Sequence, residues 1–221
     1  LLIWRGAFYR YGIYPATISA LYLLSRKGIF NYAQWGKPDH HVLTIFLSLC
    51  AFHFLLTIDE KSSRKISATL GTVIGLALWN SMEGLILLAA TTASLAIFYL
   101  INALMRRHFF PFAAGLFTSL LIALSLERPF DFFARELDRI SFLHLVAAFI
   151  CLVVAALFAR IPSQFEKNLK YRAYLLCGST IFILASIKLF AGELLAGAYG
   201  NINPYVQEMF LLSTQEALSL P

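Results

Sequence analysis

Charge is scarce in this chain. Only 14% of its 221 residues are Asp, Glu, Lys or Arg, and 59% are hydrophobic. A soluble domain carries about 25% charged and about 45–50% apolar residues. The deficit excludes an ordinary soluble fold, and the mean hydropathy of +0.72 agrees. Cysteine is scarce too. Cys50, Cys151 and Cys177 each fall inside an apolar run, spaced neither as a disulfide framework nor as a zinc site, so they read as packing residues. There is no signal-peptide pattern, no internal repeat and no low-complexity tract. The chain starts at Leu1 rather than Met, so an upstream piece is expected to be missing. The formal charge of +6 does not point to nucleic acid, because the basic residues sit in short loops between apolar runs.

What is present is a series of apolar runs of membrane-spanning length. They predict an all-α, polytopic integral membrane protein with about seven transmembrane helices, near 8–25, 40–58, 66–79, 85–105, 110–126, 140–159 and 172–195. Residues 1–195 read as one multi-span domain contacting the lipid bilayer. Residues 196–221 read as an outer-face loop with a short interfacial helix. The third run is short enough to suggest a re-entrant or buried segment. Two helices with a turn at Trp79-Asn80-Ser81 nevertheless fit better than one helix over 66–105, which would put later basic loops on the wrong side. Gly71 and Gly75 form a small-xxx-small pair suited to close helix packing.

Basic residues set the orientation. With the N-terminus inside, eleven of the 18 Lys and Arg residues lie at inner ends, among them Lys61, Arg64, Lys65, Arg106, Arg107 and Arg172. Most acids lie outside. The expected location is the cytoplasmic (inner) membrane, with the polar site on the outer face.

That face collects the candidate residues. Asp39-His40-His41 opens an apolar run after the turn Gly36-Lys37-Pro38, and ionisable groups at such a mouth are functional candidates. The two histidines point about 100° apart on a helix, so Asp39 with one of them is the plausible pair. The bland alternative makes Asp39 an N-cap. Glu83 stands at capping-box spacing from Asn80. Asp138-Arg139 starts a span, and His144 lies further into it, as a substrate-binding group or a satisfied core histidine. Lys188 is placed to meet a lipid phosphate or only to snorkel, with Glu193 a turn later. Glu208 and Glu216 in the tail can return over the mouth, or be solvated. Carboxylates and imidazole together suit Mg²⁺ or Mn²⁺, which would stabilise a phosphate leaving group.

These residues resemble the GT-C superfamily of membrane glycosyltransferases, in particular the catalytic subunit of oligosaccharyltransferase. Asp39-His40-His41 after Gln34-Trp35-Gly36-Lys37-Pro38 is similar to the family's Asp-x-Asp-like motif. Gly75 to Trp79, followed by Asn80-Ser81-Met82-Glu83-Gly84, is similar to its Trp-Gly-Gly-like span end, and Val206-Gln207-Glu208 is a looser match to its outer-loop glutamate. The resemblance implies transfer of a sugar or oligosaccharide from a polyprenyl-phosphate-linked donor to an acceptor. It implies Asp39, His40 and Glu208 as catalytic residues and Asp39, His41 and Glu208 as ligands of the divalent cation. Lys188, Arg139, Asp138, His144 and Glu83 would meet the substrate. Nothing here corresponds to the family's aspartate in the first outer loop, so a fragment or divergent member is expected. The alternative is a non-catalytic membrane subunit or scaffold with protein partners. A transporter ranks last, because the polar groups lie at the outer mouth rather than mid-bilayer.

Overall fold

The computed structural model of the chain describes residues 12–14, 17–18, 40–59, 61–135, 139–162 and 168–196. Among them there is helix and no strand. Beyond the helical residues at 13–14 and 17–18, the described residues form six α-helices in order: α1 (His40–Thr57), α2 (Arg64–Asn80), α3 (Gly84–Ile101), α4 (Phe109–Glu127), α5 (Phe142–Ala159) and α6 (Leu169–Ala191). A 3₁₀ turn, Ala103–His108, leads into α4, and another, Gly192–Ala196, follows α6. Among the described residues four segments are long and apolar enough to cross a membrane: Gly84–Ile101, Ala103–Glu127, Phe142–Ala159 and Leu169–Leu194. Val42–Thr57 is a shorter apolar helix. Most of the expected 8–25 span, and the expected tail helix beyond 196, lie outside the described residues.

The helix boundaries have local causes. Ser63 starts α2 by accepting from the Lys65 N–H at 3.2 Å, and Asn168 starts α6 by accepting from the Lys170 N–H at 2.9 Å. These are ordinary N-caps, which satisfy donors that the first helical turn leaves open. The expected 85–105 helix stops earlier, at Ile101. Asn102 turns extended and its side chain accepts from the Leu104 N–H at 3.0 Å, starting the 3₁₀ turn. The doubtful third run proves to be α2, a full helix and the centre of the bundle. It packs along α4 and against α1, and buries Leu70, Val73, Ile74, Ala77 and Leu78.

The α2–α4 crossing is as close as backbones allow. A methyl at Gly71 would overlap the Phe112 carbonyl oxygen, one at Gly75 the Ser119 hydroxyl, and one at Gly115 the Ala68 carbonyl oxygen. The expected small-residue pair on α2 is therefore met by a third glycine on α4. Within a bilayer such contact, rather than escape from water, holds helices together. From α4 the bundle continues through α5 to α6, which touches α3 only sparingly. Only Ala191 of α6 is buried.

Consecutive helices alternate in direction, which sorts the loops to two ends. One end gathers Lys61, Arg64, Lys65, Arg106, Arg107, Arg160, Lys170 and Arg172. The opposite end carries Glu83, Glu127, Asp131 and Glu193. At the basic end three guanidinium groups hold carbonyls of loops and of the last turn of α3. Arg106 donates to Ile161, Arg107 to Ser62 at 2.6 Å, and Arg172 to Tyr99 at 3.1 Å. Buried carbonyls at helix ends need such donors.

Candidate functional site

A groove of about 570 Å³ is bounded by α3, α4, α5 and α6. Its walls run from Phe109, Phe158 and Leu176 near the basic end to Leu85, Ile187 and Leu194 near the opposite end. Small side chains make the space. Ala89 and Ala96 face it from α3, and Ala147, Ala148, Cys151 and Ala155 from α5. The sparse α3–α6 contact leaves the groove without a tight wall between those helices. Its basic end is stopped by an aromatic cluster, in which the Tyr99, Phe109 and Phe158 rings meet pairwise at 5.3–5.5 Å. A few polar groups line it: Thr92, Ser179, Thr180 and His144. Its volume is that of an ordinary ligand pocket, and its lining suits a hydrocarbon chain.

His144 stands at the end of the groove opposite the basic loops. Its Nδ1 accepts from the Ser141 backbone N–H at 3.2 Å and lies 3.1 Å from the Ser141 hydroxyl. Together they form the capping box that starts α5. An Nδ1 that accepts leaves the ring's proton, and its remaining polar contact, to Nε2. The histidine is thus both a helix cap and a groove-wall residue. The capping box expected from Asn80 and Glu83 does not form. Asn80 is the last residue of α2, and its Nδ2 donates to Thr44 Oγ1 of α1 at 2.8 Å. Glu83 is exposed, and its backbone N–H donates to Ser81 Oγ at 3.2 Å.

The other expected site residues divide as follows. His40 and His41 form the first turn of α1, but their side chains lie outside the described residues, as do Asp39, Asp138, Glu208 and Glu216. Arg139 is exposed at the start of the segment leading to α5, and Lys188 is exposed in the last turn of α6. Glu193 does not meet Lys188. It pairs with Arg135 at 3.5 Å, and Arg135 also donates to the Phe190 carbonyl at 3.4 Å. Across the same end, Trp79 Nε1 donates to Glu127 at 2.7 Å, joining α2 to α4. Among the described residues, no group of three or more His, Cys, Asp or Glu side chains comes together to hold a metal. The expected ligands Asp39, His41 and Glu208 are not among the side chains described.

Sequence reasoning missed His108. It is fully buried at the basic end, between Ser67 of α2 and the loop after α1. A carbonyl only accepts, so the contact of Nε2 with Asp59 O at 2.9 Å puts a proton on Nε2. In the neutral ring Nδ1 then accepts from the Ser67 hydroxyl, at 2.6 Å. Only its position beside Arg106-Arg107, at the start of an apolar run, could have drawn attention to it. No family model, no curated protein and no solved structure matches the chain.

Proposed function

We propose that the chain is a membrane glycosyltransferase of the GT-C kind. It takes a sugar or oligosaccharide from a polyprenyl-phosphate-linked donor and passes it to an acceptor on the outer face of the cytoplasmic membrane. The observation that supports this best is the groove between α3, α4, α5 and α6. It is apolar along its length, as an isoprenoid chain requires, and His144 lines its end opposite the basic loops. In this reading the basic end faces the cytoplasm, α1 and α2 are further spans, and the 8–25 run is the first of seven.

The donor phosphate then meets Lys188 or Arg139, with Asp138, His144 and Glu83 around the sugar. Asp39 and Glu208 would hold a Mg²⁺ or Mn²⁺ ion with His41, and His40 would assist. The cation would stabilise the departing lipid phosphate. The residues of this chain bind the lipid, orient its phosphate and keep the carrier in the bilayer.

The test is glycan transfer in cells, with Asp39→Ala and with Ala96→Phe, which fills the groove from a half-buried wall position. Both are expected to abolish or strongly reduce transfer while the protein accumulates normally. Normal transfer by Asp39→Ala sinks the site, and normal transfer by Ala96→Phe sinks the groove as the carrier's seat.

A second reading is a non-catalytic subunit of a larger membrane complex. It is favoured by α6, which exposes Ile181, Phe182, Leu189 and Phe190 and buries only Ala191. Stoichiometric co-purification of another membrane protein, with growth indifferent to Asp39→Ala, decides for it.

A further inference from the structure

A second cavity lies at the basic end, separate from the groove. It is a notch of about 450 Å³ between the loop after α1 and the junction of α3 with the 3₁₀ turn. Its lining is divided by chemistry. Ile58, Phe98, Ile101 and Met105 are apolar, whereas Asp59 and Lys61 bring one charge of each sign. Both charged residues are exposed, and among the described residues neither side chain makes an ion pair. The Asp59 carboxylate is held over the turn by the Lys61 backbone N–H at 2.9 Å. The turn itself is fixed by His108, which donates to the Asp59 carbonyl, and by Ser62, whose hydroxyl donates to that same carbonyl at 2.9 Å. Beside the notch Ile97, Ile101 and Leu104 are 54%, 75% and 60% exposed, so an apolar path leads from it along α3.

We infer that this notch is a binding site for a zwitterionic phospholipid with a primary amine, of the phosphatidylethanolamine class. Its phosphate would pair with the Lys61 ammonium and its amine with the Asp59 carboxylate, while an acyl chain follows Phe98, Ile101 and Ile97. The pairing selects among lipids. An anionic headgroup such as phosphatidylglycerol satisfies Lys61 but is repelled by Asp59. A choline headgroup carries the charge but has no N–H to donate to the carboxylate. Each headgroup charge near a membrane surface shifts binding several-fold. The inference does not depend on the groove or on any transferase activity.

The experiment is native mass spectrometry of the delipidated full chain, incubated with an equal mixture of phosphatidylethanolamine, phosphatidylcholine and phosphatidylglycerol. The wild-type chain is expected to retain phosphatidylethanolamine about five-fold over each competitor. Asp59→Asn keeps the acceptor that the Lys61 N–H uses, and so keeps the turn. It is expected to lose the preference over phosphatidylglycerol. Lys61→Gln is expected to lower retention of both phosphatidylethanolamine and phosphatidylglycerol. Equal retention of all three lipids by the wild-type chain overturns the inference. So does wild-type selectivity in both variants.

Discussion

The His108 ring and the Ser67 hydroxyl meet at 2.6 Å, both fully buried, and the far side of the same ring donates to the Asp59 carbonyl at 2.9 Å. One side chain thus joins the start of α4, the first turn of α2 and the loop after α1. His108→Ala leaves the buried Ser67 hydroxyl without its partner, at about 1–3 kcal/mol for a buried group left unsatisfied, and removes one of the donors to the Asp59 carbonyl, which keeps Ser62. The expected result is a clear drop in unfolding temperature in detergent, with far-ultraviolet circular dichroism unchanged at low temperature. A variant as stable as wild type would show that the ring is not what pins the loop.

The glycine crossing makes a sharper prediction. At Gly71 and Gly115 the obstructing atoms are backbone carbonyls, so no rotamer change can make room. Gly115→Leu is expected to cost more than the ~1–3 kcal/mol typical of overpacking, because α2 and α4 must separate. Fluorescence-detected size-exclusion chromatography should show loss of the monodisperse peak. Gly178→Leu is the control. A Cβ there meets nothing within 4 Å, and the peak should be retained.

The proposed orientation places the two ends of the bundle on different sides of the membrane. Lys61 lies in the loop before α2, and Phe130, fully exposed, lies in the loop after α4. Three helices separate them, so they stand at opposite ends. Lys61→Cys is expected to react with a membrane-impermeant maleimide only from the cytoplasmic side, and Phe130→Cys only from the outer side. Labelling of both from one side would contradict the proposal that α2, α3 and α4 are three successive crossings.

Much of the helical layout was legible in the sequence. A run such as Phe142 to Ala159 has no charge and no break, and in a bilayer an unbroken apolar run has to satisfy its backbone as helix. The close approach at Gly71 and Gly75 was legible for a similar reason, since an unhindered backbone stripe costs stability unless something packs on it. The site was less legible. Spacing suggested a capping box at Asn80 and Glu83, yet Asn80 found Thr44 on a neighbouring helix, and the box formed between Ser141 and His144 instead. Lys188 and Glu193 are close in sequence, but Glu193 faces Arg135. His108 had no local signature at all. Its partners are 41 and 49 residues away along the chain.

Hydrophobicity and the placement of Lys and Arg are local properties, and they act on each segment separately. They determined without any structure that this protein is helical and that several of its helices are long and apolar enough to cross a membrane. Which helix is central, which pair is close enough to exclude a methyl, and where a groove remains depend on side chains that meet from distant segments. Only the tertiary structure decided those, because packing is a property of pairs of surfaces and no single run of sequence contains both.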